Sequence, residues 1–219
     1  GLAVPTPEDA AIPPELHQTH WCTERAIECI GRRREGPWML SVNPFDPHPP
    51  FDAPWEYYRR YDPASLPGAH FKEGDLDHQN KLVERGVDFQ TKPRHPDTFN
   101  HREVQASYYA MVELIDHEFG RLLDYLDAEG LRENTIVIFT SDHGESLGDH
   151  GMLLKGCRFM EGSTRVPLVV SWPKTYKAGV QSDALVELTD IAPTLYEAAG
   201  LDVPYYVQGR SLSSLLSGT

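Results

Sequence analysis

The stretch from Thr135 to Lys155, TIVIFTSDHGESLGDHGMLLK, constrains the fold more than any other part of the chain. Thr135 to Thr140 is a run of β-branched and apolar residues, the pattern of a strand buried on both faces. Ser141, Asp142, His143 and Gly144 follow at once, so a carboxylate and an imidazole stand where the strand gives way to its loop. In open α/β sheets the crevice outside the carboxyl ends of the strands is where ligands bind. Glu145, Asp149, His150, Lys155 and Arg158 extend the titratable run, punctuated by Gly144, Gly148, Gly151 and Gly156. That density of chemistry on a glycine-rich loop reads as a site.

Around this stretch the pattern alternates between helix and strand. Residues 1 to 15 are rich in Pro, Ala and Glu and read as an extended lead-in. From Glu15 to Arg34, the residues Leu16, Trp21, Cys22, Ala26, Ile27 and Ile30 fall near helical spacing. Arg32, Arg33 and Arg34 then form its solvated last turn, where cations complement the helix dipole. Pro37 to Val42 reads as a short buried strand leading into NPFDPHPPF, residues 43 to 51, whose prolines fix a stiff loop around His48. Residues 52 to 100 show little periodicity and form a long excursion, with His70, His78 and His95 as surface histidines.

The second half repeats the αβ theme. Val104, Tyr108, Met111, Leu114, Ile115, Phe119, Leu122, Leu123 and Leu126 give His101 to Glu129 one apolar face, and Gly130 caps it. Asp116, His117 and Arg121 on that helix read as pairing with neighbouring turns. Strands are expected at Val166 to Trp172 and at Asp183 to Leu188. A helix capped by Thr189 or Asp190 then runs to Ala199, with Pro193 in its first turn and Gly200 at its end.

At 219 residues the chain is long enough to bury a full core. Its formal charge of −13 repels nucleic acid backbones and anionic membranes at long range, so neither is an expected partner. A local cluster of cations can still hold an anionic substrate inside a Debye length of about 8 Å. Three cysteines, Cys22, Cys29 and Cys157, have neither zinc-type spacing nor an even count, which argues against a disulfide framework. No apolar run approaches the roughly 20 residues of a membrane span. The compartment stays open between cytoplasm and periplasm.

SDHGESLGDHG followed by Lys155, then STRVPLVVSWP (163 to 173) and TDIAPTLYEAAGL (189 to 201), resembles the sulfatase branch of the alkaline phosphatase superfamily in order and spacing. The P-H-x-P segment at His48 and the closing QGRSLSSLL (208 to 216) are similar to it as well. The resemblance implies an α/β fold, a three-layer α/β/α sandwich with a mostly parallel sheet, here incomplete. It also implies that 52 to 100 is a variable insertion shaping the substrate pocket, and that 208 to 219 closes the catalytic domain.

For chemistry, the resemblance implies hydrolysis of a sulfate monoester. Asp142 and His143 would bind a divalent metal, Lys155 would grip a sulfate oxygen, and His48 would protonate the departing alcohol. His150 would support the site from behind. Sulfatases generally carry calcium, whereas an imidazole ligand at His143 opens the site to manganese or zinc. The family's nucleophile is a formylglycine made from C-x-P-x-R or S-x-P-x-R, and none of the three cysteines opens such a motif. The formylglycine and the metal-binding aspartates of the family's first strand are therefore expected on a preceding segment. The chain alone is expected to be inactive and to associate with itself through surface the missing strands would cover. A phosphonate or phosphate monoesterase using the same residues, or an inactive binding module, are the alternatives.

Overall fold

The computed structural model describes residues 12–32, 35–87 and 92–218. Residues 1 to 11, Arg33 and Arg34 lie outside them, and with them most of the lead-in and two of the three arginines. The helices are α1 (Gln18–Gly31), α2 (Trp55–Tyr58), α3 (Asp75–Glu84), α4 (His101–Ala128), α5 (Glu161–Thr164), α6 (Ile191–Ala198) and α7 (Ser213–Ser217). The strands are β1 (Val137–Thr140) and β2 (Leu168–Ser171). The chain divides into two compact units. Gly1–Tyr125 with Gly144–Arg165 forms the first, and Leu126–His143 with Val166–Thr219 forms the second.

The first unit is built on α4. Val104, Ala110, Met111 and Leu114 pack with Phe51, Ala53, Tyr57 and Leu153 in one apolar cluster, each fully buried large side chain contributing roughly 1.5–3 kcal/mol. Leu153 belongs to the loop that follows the D-H-G motif, so the core itself anchors that loop. Ser107 on α4 donates to the Phe51 carbonyl at 2.7 Å, which fixes the segment leaving the proline loop.

Helix α1 lies against α4 through charged groups. His20 Nδ1 is 2.9 Å from Glu118, and Arg121 bonds both Glu118, at 2.6 Å, and Glu24. Arg121 thus pairs with a neighbouring turn, as its helical position implies, and with α1 as well. The buried residues of α1 are Thr19, Thr23, Ala26 and Ile30. That stripe differs from the apolar one read from the sequence, because two threonines occupy the inner face while Leu16 and Trp21 are exposed. Burying Thr19 costs little, since its hydroxyl donates to Asp46 at 2.5 Å. The helix ends at Gly31, so Arg32 lies past the last turn. Within 52–100, α2 and α3 form where little periodicity was legible, and His70, His78 and His95 are exposed.

The second unit holds the ladder. Helix α4 gives way at Gly130, whose φ of +66° is the left-handed cap that a Cβ would disfavour. Leu131 N donates to Leu126 O at 2.8 Å across that cap. Strands β1 and β2 pair antiparallel, Val137 with Ser171 through Thr140 with Leu168. The architecture is α/β, but the only sheet among the described residues is this antiparallel pair, in place of the mostly parallel sheet expected. Residues of β1 are half-buried throughout and not enclosed on both faces, as befits a strand with one hydrogen-bonded neighbour. Pro37 to Val42 and Asp183 to Glu187 have no regular structure, and Leu188 opens a 3-10 turn. Their β-type composition finds no ladder among the described residues, and a strand without a partner leaves its backbone groups to water.

At the far end of this unit, Asp190 precedes α6 as the sequence implies, and its carboxylate ties down the closing segment. It accepts from Arg210 N at 2.8 Å and from Glu187 N at 2.9 Å. Those two N–H groups hold its pKa below the usual carboxylate value. Thr194 Oγ1 accepts from Leu212 N at 2.9 Å. No helix among the described residues is long and apolar enough to cross a membrane.

Candidate functional site

Asp142 and His143 leave the end of β1 in the second unit. The Asp142 side chain is 86% exposed, and its Oδ2 lies 3.7 Å from His143 Nε2. Its Oδ1 accepts from the His143 backbone N–H at 3.0 Å, while Ser141 Oγ donates to the His143 carbonyl at 2.8 Å. These short-range bonds set an oxygen and a nitrogen donor side by side. A separation of 3.7 Å suits two ligands of one ion whose ligand distances are about 2.0–2.5 Å. The pair could supply two ligands, and a nitrogen donor suits manganese or zinc better than calcium.

Gly144 to Arg165 belong to the first unit. Gly144 N donates to Ser163 O at 2.8 Å, and a Cβ at Gly144 would stand 2.0 Å from the Gly162 carbonyl oxygen. The glycine of D-H-G is therefore required by the close approach of two backbones. Lys155 is 23% exposed, with its ammonium 3.6 Å from Oε2 of Glu145, whose side chain is only 3% exposed. A buried carboxylate thus holds one side of the ammonium, which has three donors to distribute. The Glu145 charge also reaches Tyr108, whose phenol is pushed up to about 12, mainly by burial and then by Glu145.

His150 sits in the left-handed region at φ +55°. Its backbone N donates to His70 O at 2.8 Å, and its Nδ1 lies 3.2 Å from Asp75 Oδ2. Asp149 Oδ1 in turn accepts from His70 N at 2.7 Å. His150 therefore fastens the loop to the 52–100 segment at the start of α3. That contact lies between distant parts of the chain, and no local pattern announces it.

His48 is half-buried in the proline loop. Its ring packs on Phe45 with centroids 4.6 Å apart, and Nδ1 is 2.9 Å from the Pro49 carbonyl. A carbonyl can only accept, so the proton sits on Nδ1 and the second proton of an imidazolium would go on Nε2. The loop is tied to α1 through Asp46, which accepts from Gln18 Nε2 at 2.6 Å and from Thr19 Oγ1 at 2.5 Å. Burial raises the Asp46 pKa despite those bonds.

His17, Asp46 and Asp52 bring ligand atoms within 4.8 Å of one another. Sequence reasoning did not single out this group, because its members come from two segments far apart in the chain. Each Asp46 oxygen accepts one hydrogen bond from α1, from Gln18 and from Thr19. The group works as a tie between α1 and the His48 loop.

Residues 9–201 match the Sulfatase family, and the chain belongs to the sulfatase family. It is 35% identical over 205 residues to an arylsulfatase of Clostridium perfringens, covering 92% of this chain and 42% of that protein. It is 32% identical over 225 residues to the multifunctional alkaline phosphatase superfamily protein PehA of Trinickia caryophylli, covering 97% and 44%. Among solved structures, it matches the phosphonate monoester hydrolase of Agrobacterium radiobacter at a TM-score of 0.85 and 30% identity, covering 99% of this chain and 45% of that one. The chain spans less than half the length of these relatives.

Proposed function

We propose that these residues form the C-terminal portion of the catalytic domain of a sulfuric ester hydrolase acting on a sulfate monoester. The reading is supported above all by one observation. In a chain of the sulfatase family, Lys155 presents a partly exposed ammonium from a loop whose core-facing residues, Met152 and Leu153, are buried. Its amine bonds an oxygen of the ester's anionic group. His48, with Nδ1 oriented by the Pro49 carbonyl, carries a proton on Nε2 in its imidazolium form and gives it to the ester oxygen as the S–O bond breaks.

Asp142 and His143 would hold a divalent metal, calcium as the family generally carries, with manganese or zinc as alternatives. When bound, such an ion supplies Lewis-acid neutralisation of charge on the sulfuryl oxygens. On this reading the nucleophile, a formylglycine, and the remaining metal ligands would be supplied by sequence outside these 219 residues. Strands from that sequence would complete the parallel sheet of a three-layer sandwich. The 219 residues alone therefore turn over no aryl sulfate.

The similarity to a phosphonate monoester hydrolase, at a TM-score of 0.85, favours a second reading in which the same residues serve a phosphonate or phosphate monoester. Rates of the full-length protein on an aryl sulfate and on an aryl phosphonate monoester, with and without a chelator, separate the two. A higher kcat/KM on the sulfate, lost on chelation, is the expected result. Preference for the phosphonate selects the second reading, and activity indifferent to chelation removes the metal from both.

A further inference from the structure

Arg158 is 8% exposed, and a guanidinium stays charged at any pH a protein survives. Its Nε donates to Gln79 Oε1 at 2.8 Å and its Nη1 to the Cys157 carbonyl at 3.5 Å. Nη2 is fully buried and has no partner among the described residues. Both acceptors are neutral. No carboxylate comes within ion-pair distance of Arg158 among the described residues, whereas the more exposed Arg25, Arg60, Arg121 and Arg165 each have one. A buried cation without a counter-ion is strongly disfavoured. Among the described residues the arrangement holds no anion for this cation.

The position is informative too. Arg158 follows Lys155 by three residues on the 144–165 excursion, and its one strong partner, the buried Gln79, lies on α3 in the 52–100 segment. The same excursion holds two further buried side-chain oxygens without a partner among the described residues, Ser146 Oγ and Ser163 Oγ. Three of the five such atoms among the described residues thus fall on this one stretch, the other two being Arg132 Nη1 and Trp172 Nε1.

We propose that Arg158 is an anion-binding residue whose Nη2 donates to an oxyanion, the shared chemistry of a sulfate, phosphate or carboxylate group. Two sources fit that chemistry. The anion is either the one held by Lys155 or a second anionic group on the same substrate. The assignment to substrate rests on the sulfatase reading; the anion site does not.

The test uses the full-length protein with arginine Nε–Hε groups followed by NMR, titrated with sodium sulfate against sodium chloride at matched ionic strength, alongside thermal melting. Sulfate is expected to move the Arg158 signal and raise the Tm. Arg158→Met should melt no lower than the wild type in chloride, since it removes an uncompensated charge. It should bind sulfate roughly tenfold more weakly, as expected for a lost charge-assisted hydrogen bond. Lys155→Met separates the sources. Loss of the Arg158 response means that one anion is shared, and its persistence means a second anion, either result supporting the proposal. An Arg158 signal indifferent to sulfate overturns it. So does an Arg158→Met variant that melts far lower in chloride or does not fold, because the guanidinium is then satisfied by the protein itself. If Arg158 responds while aryl sulfate is not hydrolysed, the functional reading fails and the anion site stands.

Discussion

Glu145 is the residue on which the electrostatics of the loop turn. It is buried beside the Lys155 ammonium at 3.6 Å, and its charge helps push the Tyr108 phenol up to about 12. A negative charge opposes a second one on the phenolate, so Glu145→Gln should lower the Tyr108 pKa. Because burial is the larger cause, the phenol should stay above its ordinary value near 10. Ultraviolet titration of phenolate absorbance in the variant against a Tyr108→Phe background checks this; an unmoved titration would show that the Glu145 charge is not felt. From the sequence, Asp142, His143, Lys155 and His48 were singled out because the family pattern names them, and their roles are part of the proposal above. Glu145 could be recognised only as a residue that shapes and pairs its loop, since its partner comes from a turn ten residues on. Arg158 showed only as a charge. Its burial and the lack of a counter-ion among the described residues are properties of packing, which no spacing encodes.

At the scale of elements, α4 and α6 were legible and the strands were much less so. The apolar face of α4 repeats with helical period over about six turns, and Gly130 ends it where a left-handed residue is needed. Leu114→Ala, at a fully buried site, should cost about 2–5 kcal/mol, read as a lower urea midpoint. A loss within a few tenths would place Leu114 outside the core. Asp190 sets a pH dependence whose sign is fixed. Its folded pKa is depressed by the Arg210 and Glu187 N–H groups, so its contribution is present above the unfolded value of about 3.9 and is lost as pH falls through the folded value. Asp190→Asn should therefore be less stable than wild type at neutral pH, with the gap closing in acid, as measured by denaturant midpoints. A gap that widens in acid would contradict the assignment. Pro37 to Val42 and Asp183 to Leu188 read as strands because composition reports a liking for pleated surface. Forming a strand also takes a partner, and the described residues supply none. The stripe on α1 misread for a related reason: Thr19 faces inward because Asp46, twenty-seven residues on, satisfies its hydroxyl.

For the molecule as a whole, the sequence conveyed membership of a family more readily than architecture. Motifs at Asp142, Lys155, Arg165 and Asp190 keep their order whatever surrounds them. Sheet direction, by contrast, depends on which strands are present to pair, and an antiparallel pair is what β1 and β2 make together. Exposed apolar side chains in the second unit, among them Val169, Leu185 and Tyr205, are surface of the kind that drives association. Self-association of the 219-residue chain is the corresponding proposal. The central claim, that Lys155 grips the anionic group of a sulfate ester, is tested most directly by steady-state kinetics of full-length Lys155→Ala on an aryl sulfate. A fall in kcat/KM of about 10²–10³, the scale for losing one preorganised charge donor, is expected, read well below the Tm of the variant, which should melt lower because buried Glu145 loses its partner. A kcat/KM within a few-fold of wild type would contradict it.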